Sequence, residues 1–206
     1  MGFKSSELRK SNDWQLKKSE NGISVYTRSV KGSNYKELKA VYQIKTSLSS
    51  VIALLNDVES YPQWSYQCEK SKLIKKISDQ EIVRYQSVVA PWPVEKRDMV
   101  VKAYSSQDPE TGKVYQKVTC VPDEVPAVKD HVRIMEFRGQ WTLTPLKNGM
   151  IEVEYQLLLN PGGSVPAWVA NRALVDGPYE TSLKMKEMLL KEKYRSTVYA
   201  FIIEPE

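Results

Sequence analysis

A chain of 206 residues is long for one domain and short for two, and its 41% hydrophobic, 27% charged composition is that of an ordinary globular protein with a sizeable core. No apolar run approaches the roughly 20 residues that cross a bilayer as a helix, and the opening MGFKSSELRKSNDW lacks the apolar core of a secretory signal. The net charge of +5 favours contact with acidic surfaces, whether anionic headgroups or nucleic acid, without choosing between them. Cys68 and Cys120 are far apart, form no CxxC and have no metal-ligand spacing, so two reduced thiols and a cytoplasmic location are expected. Whether a leader once preceded Met1 is left open.

Without repeats, low-complexity segments or linkers, one domain is expected over 1–206. Residues 6–18 read as a short N-terminal helix. GISVYTRSV is strand-like, with Gly22 as its start and Gly32 as its end. Residues 36–46 alternate, Leu38, Ala40, Tyr42 and Ile44 against Glu37, Lys39, Gln43 and Lys45, as a half-buried antiparallel strand does. Residues 49–58 form a short helix with Val51, Ile52, Leu54, Leu55 and Val58 inward. It ends before YPQW, because Tyr61 precedes a proline and is biased away from helix.

Strands then follow in series. KLIKKI and EIVRYQSVV flank the turn-like Ser78-Asp79-Gln80. RDMVVKAYSS and VYQKVTCV flank QDPETGK, a hairpin loop. The segment VPDEVPAVKDH reads as a loop, carrying His131 at the surface. Residues 133–146 alternate, with Met135, Phe137, Gly139, Trp141 and Leu143 on one face. After Asn148-Gly149, a hairpin signal, Ile151, Val153, Tyr155, Leu157 and Leu159 share a face. The run of leucines stops at Asn160-Pro161-Gly162-Gly163. A helix over 165–194 follows, roughly 45 Å long, with Ser164 as its cap and Pro166 in its first turn. Trp168, Val175, Tyr179, Leu183, Leu189 and Leu190 form its apolar stripe, and a kink or break is expected at Gly177-Pro178.

Many consecutive antiparallel strands with one long C-terminal helix make an α+β domain. So many strands should curl, and the amphipathic helix is the natural partner for the concave face. Spacing alone does not decide whether the space between them is plain core or pocket.

Four stretches in order carry a family resemblance: VESYPQWS; APWPVEKRDMVV, with Pro93, Arg97 and Asp98 at a Pro-x-x-x-Arg-Asp signature; GQWTLTPLKNGMIEVEYQLLLNPGG; and VPAWVANRAL, with Pro166, Trp168 and Asn171. The chain resembles a START domain, the steroidogenic-acute-regulatory-protein-related lipid-transfer family, in a compact bacterial-type form, over about residues 14–194. The resemblance implies a helix-grip fold, a curved antiparallel sheet around a long C-terminal helix with a hydrophobic tunnel between them. It also implies an activity, the binding of one lipid shielded from water.

Such a pocket needs an apolar lining, a few polar groups and a lid, but no catalytic residue, cofactor or metal. The expected lining is Met135, Phe137, Trp141, Tyr155 and Leu157, with Trp168, Val175, Tyr179 and Leu183 from the helix. Arg97 either reaches the tunnel or forms a structural pair with Asp98. Sterol-binding relatives carry a further arginine just beyond this signature, where this chain has Lys102, Ala103 and Tyr104. The late basic cluster Lys184, Lys186, Lys191, Lys193 and Arg195 either complements the helix dipole or docks on anionic membrane. A monomeric, non-catalytic lipid carrier is therefore expected. The alternative is a helix-grip enzyme of the polyketide cyclase/aromatase type, although one loop histidine supplies no His-Asp or Ser-His constellation. Scattered basic residues without a binding motif argue against nucleic acid.

Overall fold

The period-two segments assemble into one curved, mostly antiparallel sheet. The structure, a computed structural model, describes residues 14–205 apart from Pro91, Pro93 and Pro166, and apart from the side chains of Ala167, Trp168 and Asn171. Its strands are β1 (Gln15–Glu20), β2 (Ile23–Ser29), β3 (Lys36–Lys45), β4 (Cys68–Lys76), β5 (Glu81–Val88), β6 (Lys96–Gln107), β7 (Val114–Cys120), β8 (His131–Arg133), β9 (Glu136–Pro145) and β10 (Met150–Asn160). They lie in the order β1-β2-β3-β10-β9-β7-β6-β5-β4, with β8 pairing in parallel on β6. At the centre, Val153 sits opposite Tyr42 and Leu143, all three buried, so the alternation read from each segment converges on one inner face.

That face packs on α1 (Leu48–Asn56), whose Leu48, Val51, Ile52, Leu54 and Leu55 are fully buried. Ser47 caps α1 by accepting from the Ser50 amide at 3.0 Å. The Glu204 carboxylate, far along the chain, takes the next free amides, Leu48 at 2.9 Å and Ser49 at 2.8 Å. The C-terminal tail is thus tied down by charge at a helix N-terminus and by Ile202, which is buried.

Several local expectations are corrected. Of the N-terminal helix expected over 6–18, residues 6–13 lie outside the described residues, and Gln15–Glu20 is strand β1, paired with β2. The missed signal is Asn21-Gly22, both at positive φ (52° and 70°), the two-residue turn that closes a tight hairpin. Tyr61–Trp64 is a turn of helix, α2, not an extended segment. Pro62 falls in its first turn, where no amide donor is needed, and Tyr61 is anchored by donating its hydroxyl to Leu55 O at 2.8 Å. The expected continuous strand 133–146 is interrupted. His131 opens the short β8, half-buried, and residues 134–135 separate it from β9.

The long helix α3 runs Ala167–Met188, and a separate turn, α4, spans Glu192–Arg195. Pro178 stands inside α3 without breaking it. The Leu174 carbonyl loses its helical donor there, yet Gly177 and Pro178 are both buried, so packing holds the turn together. Ser164 is exposed ahead of the helix, and Pro166 lies outside the described residues.

Candidate functional site

Between the inner face of the sheet and the first half of α3 lies a cavity of about 480 Å³. Its floor comes from β5, β6, β9 and β10, through Gln86, Met99, Phe137, Trp141, Tyr155 and Leu157. Tyr61 and Trp64 of α2 close one side, and Val169, Ala170, Ala173, Leu174 and Gly177 of α3 form the roof. Trp141 and Tyr155, paired across β9 and β10, stack at 3.9 Å with planes 10° apart. Gly139, two pairs along and next on the same face, has no side chain, and a Cβ there would come within 3.2 Å of the Phe137 ring. The glycine therefore lets that ring lie over the strand backbone.

The bend after β10 is built by Gly162 and Gly163, at φ 64° and 58°, a conformation that favours glycine. Arg97 fixes the bend. It donates Nε to Pro161 O at 3.3 Å and Nη2 to Gly162 O at 3.2 Å, with Nη1 on Glu95 O. Arg97 thus lines the cavity and holds the chain that leads into its roof. Its sequence neighbour Asp98 points to the other face of β6 and pairs with Arg133 instead, both oxygens at 2.9 Å. Of the two expectations for Arg97, the one at the cavity holds and the pair with Asp98 does not form, because adjacent residues of a strand point to opposite faces.

Arg84 was not singled out from the sequence. It lies on β5 opposite Val101, is 5% exposed and lines the cavity. Its guanidinium sits 4.8 Å from the Tyr61 ring centroid, and its Nε and Nη1 have no hydrogen-bond partner. Next along the same face, Gln86 donates to Ser65 Oγ at 3.1 Å. Burial pushes the Tyr155 phenol above its ordinary range, against the opposing charge of Arg84, so it stays protonated at neutral pH.

Of the expected lining, Phe137, Trp141, Tyr155, Leu157 and Arg97 surround the cavity. Met135 is 58% exposed and does not. The interruption between β8 and β9 shifts the alternation, so that Ile134 and Phe137, three apart, both face inward. On α3 the stripe read from the sequence is on the wrong side. Tyr179 accepts a 2.6 Å hydrogen bond from Asn21 and carries the Lys18 ammonium 3.9 Å over its ring, so it packs on the β1–β2 turn. Val175 is half-buried outside the lining, and Leu183 packs against the main core. Trp168 has its side chain outside the described residues. The roof was missed because large side chains mark packing, whereas a cavity survives where the side chains are small.

The late basic residues are largely engaged within the molecule: Lys186 on Asn21 O at 3.2 Å, Lys191 on Gln63 at 3.1 Å and Lys193 on Asp57 at 2.6 Å. The rim of the cavity is different. Its lining residues Tyr35 and Val89 are 37% and 36% exposed, and Trp92, in the loop after Val89, is 90% exposed.

No helix among the described residues is long and apolar enough to cross a membrane. A family model for the START domain matches residues 4–191. An uncharacterised protein of Pseudomonas aeruginosa is 36% identical over 169 residues, 82% of this chain and 83% of its own. Mouse phosphatidylcholine transfer protein is 26% identical over 174 residues, 80% of this chain and 78% of its own. A solved fragment of a STAR-related lipid transfer protein from Xanthomonas axonopodis superposes with a TM-score of 0.81 at 35% identity, covering 87% of this chain and 100% of that one. With the curved sheet, the gripped helix and the cavity between them in agreement with that match, the chain belongs to the START domain family.

Proposed function

We propose that this protein binds a single lipid or similar hydrophobic small molecule in the cavity and carries it, without catalysis. The observation that carries the reading is the cavity itself, about 480 Å³ of mostly apolar space between sheet and helix. Each methylene taken out of water is worth about 0.8 kcal/mol. A chain of about a dozen methylenes therefore contributes on the order of 10 kcal/mol before the entropy of association is subtracted. A histidine or carboxylate most often does acid–base chemistry, and tyrosine or lysine can. Among the described residues the lining contains no histidine or carboxylate, and burial holds its Tyr155 protonated, which favours carriage over ring closure.

Loading requires contact with a membrane. The reading puts that contact at the rim, where Tyr35 and Val89 are amphipathic or apolar and Lys36 adds positive charge, and at the exposed Trp92 of the loop that follows Val89. Transfer of a labelled lipid between anionic vesicles tests it. The wild-type chain should move lipid, and Trp92→Ala should slow transfer several-fold at unchanged affinity. Absence of both binding and transfer in the wild type would sink the carrier reading. Equal rates for wild type and Trp92→Ala would remove the rim from it.

A further inference from the structure

The described lining holds three cationic side chains, Lys36, Arg84 and Arg97, and no aspartate, glutamate or histidine. Two of the three are accounted for. Arg97 is spent on the backbone carbonyls of Glu95, Pro161 and Gly162. Lys36 is exposed at the start of β3. Arg84 makes no hydrogen bond to any protein group that would account for its Nε and Nη1. It is 95% out of solvent (5% exposed), and two of its nitrogens are fully covered with no acceptor. The Tyr61 ring face at 4.8 Å offsets part of the desolvation but accepts no hydrogen bond from the fork. A guanidinium does not give up its proton to escape burial, as a lysine or carboxyl group can. An uncompensated buried charge is costly, so a structure that keeps one at the wall of a cavity leaves a place for its counter-ion.

We propose that the ligand carries the missing charge: it is an amphiphile with one anionic head, a carboxylate or phosphate monoester, and a single apolar chain. This rests on the carrier reading and narrows it. The head enters first and meets the Arg84 guanidinium where it reaches the cavity wall, its charge matched by either anion. Gln86 and Ser65, hydrogen-bonded to each other at 3.1 Å, also line this part of the cavity and supply neutral polar groups beside the head. The chain lies over Trp141, Phe137 and Leu157 under the alanines of α3. A volume of about 480 Å³ suits a drug-sized, single-chain ligand.

The test uses the full chain, freed of bound lipid, titrated with palmitate, a lysophosphatidic acid, methyl palmitate and hexadecanol. At least one of the two acids should bind at least tenfold more tightly than the ester and the alcohol. The tighter of the two acids identifies carboxylate or phosphate as the natural head. Arg84→Met should erase that preference, weakening the acids at least tenfold relative to the neutral ligands. It should also raise the melting temperature of the ligand-free protein, because it removes a charge that nothing balances. An arginine serving only the fold would lower it. Arg84→Lys keeps the charge but not the fork, and should retain part of the preference, which keeps the comparison available if Arg84→Met does not accumulate. Equal affinity for acids and neutral analogues in the wild type, or a preference that survives Arg84→Met, overturns the proposal while leaving the carrier reading intact. Failure of all four to bind overturns both.

Discussion

Asp98 is 0% exposed and takes both its charged hydrogen bonds from the Arg133 fork at 2.9 Å. Arg133 spends its remaining donors on the carbonyls of Pro122, Val125 and Pro126, so one side chain pins the loop between β7 and β8 to β6. Breaking such a pair leaves a buried charge alone. Arg133→Met should therefore cost about 3–5 kcal/mol in denaturant unfolding. Adding Asp98→Asn should recover part of that loss, since the orphaned charge goes with it. A double variant as unstable as the single one would show that Arg133 acts through the loop carbonyls and not through Asp98.

Among the elements, α3 explains why the site was only half legible. The floor strands announce themselves: Phe137, Trp141, Tyr155 and Leu157 alternate at period two and all face the cavity. The roof does not, because it is written in Ala170, Ala173 and Gly177, residues that carry no hydrophobic signal of their own. Tyr179 and Leu183 carry the signal and pack elsewhere. Arg84 was equally silent, since one arginine in EIVRYQSVV looks like the polar face of a half-buried strand until its neighbours are known. The chain-order architecture, the Asn148-Gly149 hairpin and the grip of sheet on helix were readable, because each rests on local periodicity or turn chemistry. The β1–β2 hairpin was missed although Asn21-Gly22 stood in plain view, because the polar QLKKSE of an edge strand shows no alternation. Filling the roof tests the reading directly. Ala173→Trp should weaken lipid binding at least tenfold while the melting temperature holds within a few degrees, and unchanged binding would remove α3 from the site.

The helix α4 is held by Asp57, whose Oδ2 accepts from Lys193 at 2.6 Å and from the Tyr194 hydroxyl at 2.7 Å. Burial pushes this carboxyl up, but the hydrogen bonds from Lys193 and Tyr194 outweigh it and hold it below its ordinary 3.8. A depressed pKa stabilises the fold above the ordinary value, and that contribution fades as pH falls through the depressed one. The melting temperature of the wild type should therefore drop as pH goes below about 4. Asp57→Asn, which cannot titrate, should show a shallower drop over the same range. Parallel curves would place the acid sensitivity elsewhere.

Over the whole molecule, the same chain builds a tight core and an unfilled space. Around α1 the inner face is packed with fully buried Leu, Ile and Val side chains. Toward α2 and the start of α3 the packing gives way to the cavity, roofed by small residues, with an arginine at its wall and the exposed Tyr35 at its rim. A protein stabilised for its own sake would fill that volume and pair that charge; under the proposed function both serve a ligand. Organic extraction of the purified protein, followed by quantitative mass spectrometry, tests this most directly. The account predicts close to one lipid per chain from the wild type and little from Ala173→Trp. Extracts without lipid, from a protein that also fails to take up any lipid added afterwards, would contradict it.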